Sequence, residues 1–126
     1  MQGLLRIAAG IPATVFLVVG LAWLVAPGFV SGQMRMPLLT GDGLSTQIAD
    51  LASFFLTLGG SILIALVTGR ALWLYPAILL LTFGAAGRVI AWAAHGASLP
   101  PDMIAVEVVV AGLLTVLARK MATDAA

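Results

Sequence analysis

The sequence predicts an all-α integral membrane protein: one four-helix bundle over residues 1–126, with both termini in the cytoplasm. Three observations carry that prediction. First, 62% of the residues are hydrophobic and 9% charged, with a mean hydropathy of +1.16. A soluble domain carries about 25% charged residues, so a water-soluble chain of this composition would expose large apolar patches. Second, four apolar stretches approach the roughly 20 residues that cross a bilayer core, and turn chemistry separates them. Third, Arg6, Arg70, Arg119 and Lys120 fall on one side of the four spans and Arg35 on the other. The positive-inside rule assigns the richer side to the cytoplasm.

The first span covers residues 4–26. Its apolar run is about 20 residues long, above the roughly 7–15 of a signal-peptide core, so it reads as a retained helix. Pro12 falls in its early turns, and Gly3, Gly10 and Thr14 form a stripe suited to close helix contact. Pro27-Gly28 closes the span. Residues 29–46 form the one long connection. They mix Met34, Arg35 and Met36 with the turn-like Gly41-Asp42-Gly43 and read as an interfacial loop or as a lid. Ser45 or Thr46 caps the next helix.

The second span covers residues 47–68. At helical spacing Asp50, Ser53, Thr57, Ser61 and Thr68 share one sector, which predicts a polar seam turned inward with lipid on the other side. Gly69-Arg70 makes a tight turn. The third span, residues 71–94, carries Trp73, Tyr75 and Trp92 near its ends as interfacial anchors. Gly84, Arg88, Ala91 and His95 share a face of it. The fourth span covers residues 102–118. Asp102 sits at its start, where a carboxylate suits the helix dipole, and Glu107 lies on the same face as Ala111 and Ala118. The polar tail from Arg119 to Ala126 is expected to fray.

Arg88 is the pivot of the chain. An ionisable group inside a span is costly and normally faces the protein interior with a partner. At ~1.5 Å of rise per residue, Arg88 lies roughly 10 Å from His95, Glu107 about 9 Å from Pro101 and Asp50 about 7 Å from Ser45. All three therefore reach a common level near the outer face, which predicts a cluster of Asp50, Arg88 and Glu107. Two carboxylates suit the forked donors of one guanidinium. Ser53, Thr57 and His95 are candidate accessory residues, with His95 otherwise an interfacial residue. The cluster reads either as a site that binds or transports a small polar or amphipathic molecule, or as a pin holding three helices together.

Other chemistries are poorly represented. A net charge of +1 provides no field for nucleic acid. The absence of cysteine and the single histidine exclude disulfides, thiol redox chemistry and a His/Cys metal set within one chain. No glycine-rich run follows a strand, so no nucleotide cofactor is indicated. No catalytic residues and no cofactor are expected. The expected partners are the lipid bilayer, a small amphipathic ligand, and a second copy or a membrane complex. In that last case the protein is a non-catalytic accessory subunit held by its small-residue faces.

Gly59-Gly60, Gly84 with Gly87-Arg88, His95-Gly96 and Glu107 together resemble the domain of unknown function 4345 family, small bacterial four-helix membrane proteins. The resemblance extends over roughly residues 46–118. It implies the four-helix architecture and the bacterial inner membrane, and no substrate. The family pattern has Asp-Gly where this chain has His95-Gly96.

Overall fold

The computed structural model describes residues 2–125, all helical apart from short connections. The helices are α1 (Gln2–Val25), α2 (Pro27–Gln33), α3 (Gly41–Thr68), α4 (Tyr75–His95) and α5 (Pro101–Ala125), with a 3-10 turn at Ala71–Leu74 before α4. Four segments are long and apolar enough to cross a membrane: α1, α3, α4 with its preceding turn, and α5. They form an up-down bundle. α1 lies antiparallel along α3, α4 along α5, and the pairs α1–α5 and α3–α4 close the ring.

The α1–α3 contact sets the register of the bundle. A Cβ on Gly59 would lie 2.7 Å from the Ala13 carbonyl oxygen, and one on Gly20 would lie 2.8 Å from Leu56. Only glycine permits backbones this close. The seam on α1 is thus Ala9, Ala13, Phe16, Gly20 and Trp23, all buried. The expected stripe of Gly3, Gly10 and Thr14 is displaced from it: Gly3 and Thr14 are exposed. Pro12 lies inside α1 rather than in its first turns, because the helix starts at Gln2.

The expected long loop is mostly helix. Pro27 does end α1, but it also opens α2, whose first turn needs no N–H from it. The C-terminus of α2 closes as a Schellman motif. Arg35 N–H donates to Gly32 O (3.1 Å) and Met36 N–H to Ser31 O (3.0 Å), with Arg35 itself left-handed at φ 59°. α3 begins at Gly41, so Ser45 and Thr46 are inside the helix and cap nothing. Asp42 in its first turn complements the helix dipole. Buried Gln47 then clamps the connection. Its Oε1 accepts from Leu39 N–H (2.9 Å) and its Nε2 donates to Pro37 O (3.0 Å). A side-chain amide here substitutes for the missing main-chain partners.

At the far end Gly69 caps α3 in the left-handed region (φ 69°), and Arg70 leads into the 3-10 turn. Pro76 has no N–H to donate to Leu72 O, which accounts for the helix restarting at Tyr75. The tail expected to fray is helical to Ala125. Met121 extends the buried row of Leu114, Leu117 and Ala118. Gln2 Nε2 donates to Asp124 Oδ2 (2.8 Å), which ties the two chain ends to one end of the bundle. Arg6 donates to Leu66 O, satisfying a carbonyl of the last turn of α3. The outer surface is lined with exposed Leu, Ile and Val, among them Ile7, Val25, Val67 and Val109 at 67–82% exposure.

Candidate functional site

The site forms where α4 and α5 meet near the α2 end of the bundle. Glu107 shares a face of α5 with Leu114, Leu117/Ala118 and Met121, at helical spacing, and that face is buried. The carboxylate is therefore carried inward and is only 8% exposed. Opposite it, Gly84 and Arg88 stand one turn apart on α4. A Cβ on Gly84 would lie 2.6 Å from Glu107 Oε2, so the glycine is the notch that seats the carboxylate. Arg88 Nε donates to Glu107 Oε1 at 2.7 Å, with the arginine side chain 34% exposed. This is a charge-assisted bond of short length in a largely apolar setting. The expected pairing of Arg88 with Glu107 is thus the geometry observed.

Asp50 is the part of the expected cluster that the structure separates from it. It is exposed on α3 and borders a shallow cleft against the 34–40 connection, with Asp42 and Thr46 as neighbours. Among the described residues it makes no ion pair. The cause is the α1–α3 contact. At ~100° per residue Asp50 falls about 180° from Gly59, and Gly59 must face α1. The polar seam turns outward with it, except at Ser61, where the 3-10 turn before α4 packs against α3. Ser53, Thr57 and Thr68 are exposed, and Ser61 alone is buried, donating to Leu58 O at 3.3 Å. Ser53 and Thr57 thus lie away from Arg88. His95 is exposed at the end of α4 and does not join the pair.

Two residues that the sequence reading left out of the cluster complete this end of the molecule. Arg35 Nη2 donates to both carboxylate oxygens of Asp102, at 3.1 Å each, in an exposed pair that ties the end of α2 to the start of α5. The available signal was arithmetic: Arg35 was the one base on its side outside the spans, and Asp102 precedes Glu107 by little more than a turn.

Two adjoining cavities open on these pairs. The inner one, about 280 Å³, is walled by Phe16, Phe54, Phe55, Leu58 and Leu81 and ends on Arg88, Glu107 and Asp102. The outer one, about 460 Å³, is lined by Arg35, Arg88, Ser98 and Leu99, with Pro100 and Pro101. Both are bordered by Met34, Arg88 and Met103. The inner one also opens sideways between Val15 and Val106, both 52% exposed; an apolar cleft with convergent polar groups at one end is a usual form of small-molecule site. Among the described residues no group of three His, Cys, Asp or Glu side chains is placed to hold a metal ion. No family model, curated protein or solved structure matches the chain.

Proposed function

We propose that the protein is a multi-pass protein of a bacterial inner membrane, with cytoplasmic termini, that binds a small amphipathic molecule between its helices. The ligand's apolar part fills the inner cavity and its polar head meets Arg88, which Glu107 holds in place. The four long apolar helices and the apolar outer surface support insertion. The reading includes membership of the domain of unknown function 4345 family, carried by Gly84, Gly87, Arg88 and Glu107. The observation that bears most weight is the inner cavity ending on a hydrogen-bonded ion pair. A pair serving only to pin two helices needs no chamber beside it.

The test is to block the chamber without touching the pair. Val106 borders the inner cavity and is 52% exposed, so Val106→Trp fills space with little strain in the core. Equilibrium binding of a fluorescent single-chain amphiphile to purified protein in a non-ionic detergent should weaken by about tenfold or more, a cost of ~1.4 kcal/mol. Unaltered binding in that variant would overturn the cavity as the site.

One observation favours a second reading, that of an accessory subunit or a second-copy partner. Thr14, Thr68, Thr82 and Thr115 return their hydroxyls to main-chain carbonyls four residues back. Ser53 and Thr57 make no such bond among the described residues and face outward from α3. Hydroxyls facing hydrocarbon are better satisfied by a neighbouring helix. Molar mass in several detergents separates the readings: a monomer in all of them removes the case for a partner on this face.

A further inference from the structure

We infer that the bound amphiphile is anionic and single-chained, its head held jointly by Arg35 and Arg88 in the outer cavity. This rests on the amphiphile-binding reading above and adds the chemical class of the ligand.

The division of charge between the cavities is the first support. The outer cavity is lined by two arginines and by no carboxylate. The carboxylates that pair with them, Asp102 and Glu107, border the inner cavity instead. The guanidinium donors are also only partly used. Arg88 spends Nε on Glu107, and its Nη1 and Nη2 make no hydrogen bond among the described residues. Arg35 spends Nη2 on Asp102, leaving Nε and Nη1 in the same condition. A guanidinium has five N–H donors in a fixed fork, suited to a carboxylate or phosphate once part of the fork is fixed elsewhere. Each acid orients its arginine and leaves the remaining donors for a ligand.

The backbone at Arg35 sets where its side chain lies. Arg35 occupies the left-handed position of a Schellman motif, with φ 59°. Glycine is the favoured residue there, and a side chain at that conformation is strained. The chain keeps an arginine where the cap itself favours none. The side chain placed there pairs with Asp102 and lines the outer cavity.

The tail follows from volume. The inner chamber, about 280 Å³, sits just below the ~300–1,000 Å³ range of small-molecule sites. It suits one apolar chain rather than two. A long-chain carboxylate is the simplest member of the class, and a single-chain phosphate presents the same chemistry.

The test is a series of equal chain length bearing a carboxylate, phosphate, alcohol or trimethylammonium head, titrated onto the purified full chain in a non-ionic detergent. Carboxylate or phosphate should bind about tenfold more tightly than the alcohol, and the order of the two identifies which anion the site suits. Arg35→Gly should abolish that preference while the thermal midpoint holds or rises, because glycine suits the cap. Arg88→Lys should reduce the preference through loss of the fork. Equal binding of alcohol and carboxylate, or tightest binding of the ammonium, would overturn the anionic assignment and leave the amphiphile cavity standing. Binding of no member of the series would overturn both. Retained preference in Arg35→Gly would remove Arg35 from the head site.

Discussion

At the scale of single residues, the Arg88–Glu107 pair is held by three positions rather than two. Glu107 is buried, so Arg88→Ala leaves a carboxylate without its partner in apolar surroundings. Removing one member of a buried pair costs ~3–5 kcal/mol, and the partial exposure of Arg88 sets the expectation at about 3. Adding Glu107→Ala should recover part of that loss, measured by denaturation in detergent. A double variant as unstable as the sum of both singles would mean that the two are not coupled. Gly84 belongs to the same unit. Gly84→Ala pushes a methyl against a carboxylate pinned at 2.7 Å, which should cost about 1 kcal/mol. The cost should vanish in a Glu107→Ala background, where nothing fills the notch. By contrast Asp50→Asn should alter stability by no more than about 0.5 kcal/mol, as at an ordinary surface position. The pair was legible in the sequence because an arginine in an apolar span demands a partner, and Glu107 was at its level on a packed face. Asp50 matched in level but not in direction. Its direction is decided by where Gly59 meets Ala13, a contact between distant segments that periodicity within one helix does not contain.

At the scale of elements, α1 and α3 are joined through glycine and the α4–α5 pair through charge, and the two joints should respond differently to substitution. Gly59 and Gly60 are adjacent in sequence, yet a Cβ on Gly59 meets backbone at 2.7 Å and one on Gly60 meets nothing within 4 Å. Gly59→Ala should therefore cost ~2 kcal/mol or more, because a main-chain carbonyl cannot move aside as a side-chain tip can. Gly60→Ala should stabilise slightly through helix propensity, by up to about 1 kcal/mol. Thermal midpoints of the two variants, compared at equal detergent, check this; equal effects would contradict the close approach of α1 and α3. The four spans themselves were readable from hydropathy, to within a turn at most of their ends. The exceptions share one cause. α2, the first turns of α3 and the last turns of α5 lie beyond the apolar stretches, where hydropathy falls silent although helical bonding continues. There, local chemistry sustains the helix: Pro27 at a helix start, Asp42 in a first turn, and the Lys120–Asp124 pair at 3.4 Å.

At the scale of the whole molecule, the two ends of the bundle carry different chemistry, and that difference is what the proposed orientation rests on. One end gathers Arg6, Arg70, Arg119 and Lys120 with Asp124, which accepts from Gln2; the other holds the Arg35–Asp102 pair, Asp42, Asp50 and both cavities. On the orientation proposed above, which follows the positive-inside rule, the first end would be cytoplasmic and the outer cavity would open on the opposite side of the membrane, where the proposed amphiphile would enter it. The chain has no cysteine, so a single introduced thiol reports its own side without background. Ser98→Cys, at the rim of the outer cavity, should react with a membrane-impermeant maleimide in intact spheroplasts. Thr123→Cys, exposed in the last turn of α5, should react only after permeabilisation. The reverse pattern would place the cavities on the cytoplasmic side and make the ligand a cytoplasmic amphiphile. Labelling of both positions in intact spheroplasts would mean that α5 does not cross the membrane, since Ser98 and Thr123 lie at its opposite ends. Agreement between thiol reactivity and the charge bias of the ends would put Ser98, Leu99 and the two guanidiniums of the outer cavity on the side away from the cytoplasm, the side from which the proposed amphiphile would then have to enter.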